Sequence, residues 1–220
     1  MKNQDLSQFN KGTFEEINSE FIADGLCVMS GLAEWQKKYN SMDTDTAINE
    51  LRDAIVGRYM GFQLINKDKH GLDCKLNANT NIFLESKVCN NLTKATATFN
   101  DTTLEKAEVF KDEKTWLALS MWRSASDLVC ICYGQHEGIG EYLEERVRAV
   151  ANTSSRSTQS ISLANLVNKY GFTIVAISMR KEELYTLLTS TYSSLRTMSR
   201  DKIIDLSEFT PPYVASKDGE

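Results

Sequence analysis

The sequence predicts an α/β fold, a mixed central β-sheet flanked by helices, and three observations predict it. Segments with apolar residues at three- and four-residue intervals alternate along the chain with short β-branched or aromatic runs. Their order is helix, strand, strand, helix, strand, strand, helix, strand, helix, which suits one sheet with helices on its faces. Of the 220 residues, 41% are apolar and 25% charged, enough for a sizeable core in one domain.

Residues 1–43 read as an N-terminal helical extension. Phe14, Ile17, Phe21 and Ile22 fall at helical spacing with Gly25 as a stop, and Leu32, Trp35 and Tyr39 suggest a second short helix. Residues 44–133 form the expected core. Its first helix, 44–65, carries Ile48, Leu51, Ile55, Tyr59 and Phe62 on one stripe, capped by Asp43 or Thr44. Gly57 and Gly61 mark either the helix end or close packing against a sheet. After a polar turn at 66–71, Leu72–Leu76 and Asn81–Val88 read as strands joined by Asn77-Ala78-Asn79-Thr80, a hairpin composition. Residues 89–101 read as an Asn/Thr-rich loop. A helix then opens at Asp101 or Thr102, with Glu105 three residues on, as in a capping box. Trp116–Trp122 and Leu128–Tyr133 are buried strands, with the two tryptophans as core or sheet-end anchors.

Residues 134–210 form the remaining part, expected to serve binding and dimerisation. Gly134–Gly140 reads as a turn, 141–150 as a helix and 151–162 as a polar loop. Leu163–Tyr170 is a short helix ended by Gly171, Phe172–Ser178 a strand, and 180–198 a helix whose stripe is Leu184, Leu187, Leu188, Tyr192 and Leu195.

Charge and cysteine usage narrow the function classes. The net charge of −5 disfavours a uniformly basic nucleic-acid binder, but it is unevenly spread. Residues 1–60 hold ten acids and six bases, whereas Arg146–Lys181 holds six bases and no acid, so one face can still be positive. Five cysteines without a C-x-x-C pair, and only two histidines, argue against structural zinc and for free thiols in a reducing cytoplasm. No apolar run is long enough to span a membrane, and the polar N-terminus lacks a signal-peptide core. Cys130 and Cys132 read as core, and His136 as a loop residue.

The segment with the most chemistry is Gly71-Leu-Asp73-Cys-Lys, followed by Phe83-Leu-Glu85-Ser-Lys87-Val. Asp73 and Glu85 face each other across the predicted hairpin, and period-two alternation puts Lys87 beside Glu85. Two carboxylates suit a hard divalent cation, which polarises a phosphate and acidifies a bound water. The Lys87 ammonium can orient that water or stabilise the pentacovalent transition state, and a lysine near a metal can have a depressed pKa that lets it act as base. The bland reading is a solvated Glu–Lys pair worth almost nothing. Against it, Glu85 and Lys87 interrupt an otherwise apolar strand, where charges are costly unless they line a cleft.

On these residues, in their strand–turn–strand setting between helices, the chain resembles the PD-(D/E)xK nuclease superfamily, which includes most type II restriction endonucleases. Leu72 stands where the naming proline would be. The resemblance covers residues 44–133 and implies a restriction-endonuclease-like fold, catalytic Asp73, Glu85 and Lys87, Mg²⁺ held by Asp73 and Glu85, double-stranded DNA as substrate, 5′-phosphate products and often a homodimer. It also implies a supporting acid on the preceding helix, for which Glu50 is nearest. Asn100 and Lys106 follow the Glu85 strand and are candidates for the scissile backbone. Asn152, Arg156 and Gln159, in the polar loop, have side chains suited to phosphate or base-edge contact; a plain surface loop is the alternative there. The competing functions are a low-specificity repair or mobile-element nuclease and a non-enzymatic α/β binding module.

Overall fold

The computed structural model describes residues 47–65, 72–90, 92–123, 127–135, 137–150 and 157–213, together with residues 27, 28, 31, 32, 34, 35 and 38. The chain divides into two compact units, Met1–Asp43 and Thr44–Glu220. In the first, the described residues are helical; the readings at Phe14–Gly25 and Tyr39 lie outside the described residues.

The second unit is α/β. Its elements in chain order are α1 (Ala47–Met60), β1 (Gln63–Leu64), β2 (Cys74–Lys75), β3 (Phe83–Cys89), β4 (Thr96–Thr102), α2 (Leu104–Val109), β5 (Thr115–Trp122), β6 (Leu128–Gln135), α3 (Glu137–Val150), β7 (Ser157–Ser162), α4 (Leu163–Asn168), β8 (Thr173–Ala176), α5 (Lys181–Thr191) and β9 (Ile203–Asp205). Seven strands form one sheet in the order β1-β2-β3-β5-β6-β8-β9, and β4 pairs with β7 in a separate two-stranded ribbon. The large sheet is mixed: β3–β5 and β8–β9 are parallel and its other pairs antiparallel.

Both glycines of the first helix have a use. Gly61 has φ 81° and ends α1, with Phe62 N–H donating to Gly57 O at 2.7 Å and Gly61 N–H to Arg58 O at 3.2 Å, the two bonds of a Schellman stop. At Gly57 a Cβ would stand 2.8 Å from Cys74 Sγ, so the glycine lets α1 lie directly on β2.

That contact rotates α1 away from the expected stripe. The buried face is Glu50, Asp53, Val56, Gly57 and Met60, with Arg52 beside it, whereas Leu51, Ile55 and Tyr59 are half-buried. Ile55 and Tyr59 instead line a groove of about 450 Å³ with Arg58, Leu206, Phe209 and Pro211.

The sheet separates two apolar cores. One gathers Val56, Met60, Phe62, Cys74, Leu84, Ala118, Trp122 and Ile131. The larger one, on the other side, gathers Phe99, Phe110, Leu117, Leu119, Cys130, Cys132, Leu143, Leu166, Ile174, Leu184 and Ile203. Trp122 is buried with the Arg52 guanidinium 4.8 Å above its ring, and Trp116 is half-buried with its indole N–H donating to Tyr213 Oη at 2.8 Å. The five cysteines are free thiols, four of them buried.

The largest difference from the sequence reading is the ribbon. Residues 96–102 and 157–162 are strands, not loops. Ala97 and Phe99 on β4 and Ile161 on β7 alternate into the core while Thr and Ser alternate outward, so the segments have strand periodicity in small residues. The helix after β4 starts later than expected: Thr103 is the cap, its Oγ1 accepting from Lys106 N–H at 3.2 Å. Thr102 is buried and donates to Phe99 O at 3.0 Å. Helix α3 begins at Glu137, so much of the expected 134–140 turn is strand end or helix. Gly140 belongs to that helix, where a Cβ would meet the Phe110 carbonyl carbon at 2.8 Å. Helix α5 stops at Thr191, and a separate 3₁₀ turn, Ser193–Leu195, carries the stripe onward. The short edge strands β1 and β9 have too few residues to show a period in sequence.

Candidate active site

The hairpin register assembles the site. Cys74 pairs with Leu84 and Lys75 with Phe83, so one more step in the same register sets Asp73 opposite Glu85. The Asp73 backbone is held on both sides: its N–H donates to Leu84 O at 3.2 Å and its carbonyl accepts from Ile65 N–H at 2.9 Å. Its carboxylate then reaches β3, where Oδ2 accepts the backbone N–H of Ser86 at 2.9 Å. Asp73 is thereby fixed between Glu85 and Lys87.

Glu85 is 2% exposed, and its Oε1 takes the ammonium of Lys87 in a direct ion pair. Its other oxygen, Oε2, is buried without a hydrogen-bond partner. Burial raises the Glu85 pKa to about 7; the Asp73 charge adds to the rise, and Lys87 and Lys106 oppose it. The Lys87 side chain is 17% exposed and its Nζ lies 5.4 Å from the Phe99 ring centre. Burial pushes Lys87 down, but Glu85, Asp73 and Asp53 together outweigh it, and the net direction is up. Lys87 is thus held as an ammonium. These side chains by themselves move it away from the depressed pKa that a base needs.

Lys106 belongs to the same cluster. Its Nζ donates to Asn100 O at 3.3 Å, and its pKa is lowered by burial first and by the Lys87 charge second, against Glu85, Asp73 and Asp101. Asn100 is exposed on β4. Gln159 is half-buried on β7, opposite Phe99. Asn152, Arg156 and His136 lie outside the described residues.

Glu50, the expected supporting acid, is buried on α1. The α1 acid whose charge weighs on Lys87 is Asp53. Sequence reasoning passed over Asp53, yet a signal existed: Glu50 and Asp53 are three residues apart and therefore share a helix face. Their presence on the buried side of α1 is costly in an ordinary core helix.

The donor set can be tested against a cation. Among the described residues no group of three or more His, Cys, Asp or Glu side chains is arranged to hold a metal ion. The carboxylates at hand are the Asp73–Glu85 pair. That number fits Mg²⁺, which commonly takes one or two carboxylates and completes its shell with water and phosphate oxygens. The bare Oε2 of Glu85 fits as well, because a buried carboxylate oxygen without a donor needs a proton or a cation.

Burial pushes Cys130 up to about 12 and Cys132 also well up, so both stay neutral thiols of the core. No helix among the described residues is long and apolar enough to cross a membrane. The chain matches no protein-family model and no curated protein.

Proposed function

We propose that this chain is a metal-dependent endonuclease that hydrolyses phosphodiester bonds in double-stranded DNA, in the manner of type II restriction enzymes, acting as a two-fold dimer in the cytoplasm. The observation that carries the reading is the meeting of Asp73, Glu85 and Lys87 on one hairpin, with one carboxylate oxygen buried and bare. In this reading Asp73 and Glu85 hold Mg²⁺. The metal supplies Lewis acidity toward the phosphate and a more acidic bound water. Lys87, held as an ammonium by its neighbours, orients the attacking water and stabilises charge developing on the pentacovalent phosphorus. Lys106 and Asn100 lie on the next connection and face the flanking backbone of the substrate.

The test is plasmid cleavage with Mg²⁺ against EDTA for the wild type, Asp73→Asn and Lys87→Met. The expected result is Mg²⁺-dependent cutting that falls at least about 10²-fold in each variant, the scale of losing one electrostatic stabiliser. Discrete fragments support restriction, and a smear supports a low-specificity repair or mobile-element nuclease. No cutting of any DNA supports the binding module and sinks the enzymatic reading.

A further inference from the structure

The β4–β7 ribbon has two unlike faces. Paired residues in an antiparallel ladder share a face. Ala97 with Ile161 and Phe99 with Gln159 face the core. Thr96 with Ser162 and Thr98 with Ser160 face away, and alternation adds Asn100 and Thr158 to that outer face. Asn100, Thr158 and Ser160 are exposed. The outer face is thus a ladder of short hydroxyl and amide side chains without an aliphatic residue.

Cations flank this ladder. Lys94 is exposed just before β4. Lys106 donates to the Asn100 carbonyl at one end. On the other strand, Tyr142 of α3 donates its hydroxyl to the Ser160 carbonyl at 3.2 Å, and the exposed Arg146 guanidinium sits 5.4 Å from that tyrosine ring. Asp101, with φ 49°, is the acid at the irregular end of the strand.

We propose that the outer face of the β4–β7 ribbon docks on the sugar–phosphate backbone of duplex DNA. This rests on the nuclease reading for its substrate and adds the surface that holds it. Hydroxyls supply one donor each, and phosphate oxygens only accept. Thr98 Oγ1 and Ser160 Oγ, 3.2 Å apart, use one hydrogen between them and leave the other for a phosphate. Short side chains require the backbone of the ribbon to approach closely, which the lack of bulk on this face permits. Outward side chains recur every two residues, about 6.8 Å along a strand, which matches two base-pair rises of about 3.4 Å. Hydroxyls on a phosphate carry no base information, so the contact positions the duplex without reading it. At the Asn100 end, Lys106 bonds the ribbon backbone and feels the charges of Glu85 and Asp73.

The experiment measures anisotropy of two labelled DNA duplexes of unrelated sequence and of one RNA duplex, in EDTA so that nothing is cut. The proteins are the full-length wild type, Thr98→Glu with Ser160→Glu, and the milder Thr98→Val with Ser160→Ala. Thermal unfolding verifies that each is folded. The expected result is at least a tenfold weakening for the glutamate pair and about threefold for the hydroxyl-free pair, equal on both DNA duplexes. Wild-type affinity in the glutamate pair, a loss on one sequence only, preference for an RNA duplex, or no wild-type binding overturns the proposal. Cleavage is scored separately. A chain that binds through the ribbon but never cuts keeps this surface and loses the nuclease. One that cuts while the glutamate pair binds normally does the reverse.

Discussion

On β3, Glu85 and Lys87 point from alternate positions into the same side of the sheet as Cys130 and Cys132 on β6. A single register row joins the two regions: Lys87 pairs with Leu119, Leu119 with Cys132, Cys132 with Ile174, and Ile174 with Ile203. One end of the row is a cation and the other an aliphatic edge. The thiols meet burial by staying neutral, as their raised pKa values show, and cost nothing beyond packing. The charged pair escapes only in part: burial raises Glu85 to about 7, but Lys87 stays an ammonium. The pair's ions lose hydration worth several kcal/mol each, and one oxygen of Glu85 receives no donor in return. Stability alone would favour the β6 solution on both strands. The charges on β3 therefore ask for a reason outside folding, and the neighbouring Asp73 and Lys106 supply one.

Making β3 resemble β6 removes the difference between the two strands and has the largest expected effect. Lys87→Met alone leaves a buried carboxylate without its cation, and at pH 8 it is expected to cost about 3–5 kcal/mol in urea unfolding. Adding Glu85→Leu removes the stranded charge. The double variant is then expected to match the wild type or exceed it by about 1–4 kcal/mol, with cutting abolished. A double variant as unstable as the single one would mean that the pair is structural, and the contrast with the thiols would lose its meaning.

A second measurement sharpens the same contrast by titration. The folded Glu85 pKa is raised from 4.5 to about 7, so the fold favours the protonated form. Stability from this source is complete below about 4.5 and is lost as pH rises through about 7. The loss is about 3 kcal/mol, taking the shift at 1.36 kcal/mol per unit. Lys87 adds nothing in this window, because its pKa is raised above 10.5 and its contribution fades only beyond that. Denaturation curves without divalent metal are expected to show the decline in the wild type and a flatter profile in Glu85→Gln. An unchanged slope in the variant would assign the pH dependence elsewhere.

The same contrast explains what was legible in the sequence. β5 and β6 announce themselves as apolar runs, and Asp73, Glu85 and Lys87 stand out because charge breaks such a run on β3. The ribbon does not, since its inward apolar side chains are one alanine, one phenylalanine and one isoleucine among Thr, Ser and Gln. Composition there resembles a loop, and only the partner strand some sixty residues away in sequence reveals the pairing. On α1 the most apolar stripe predicts the buried face, but the helix turns Asp53 and Glu50 inward because Gly57 sets the contact with β2. A local pattern cannot report which of two faces a glycine brings against the sheet.

The smallest expected effect lies where the polar patch meets α2. The sequence favoured Asp101 or Thr102 as the cap, and Thr103 does the capping instead, through the N–H of Lys106. Thr103→Ala is expected to cost about 1 kcal/mol, the usual value of an N-cap hydroxyl, and Thr103→Ser almost nothing. The residue held by this bond carries the second cation of the cluster, whereas the thiols on β6 rely on no such support. In the alanine variant the loss of DNA cleavage should therefore exceed what its small loss of folded protein explains, and serine should restore it. If both variants cut as well as the wild type, the position of Lys106 is immaterial to the reaction, and the polar patch contracts to Asp73, Glu85 and Lys87.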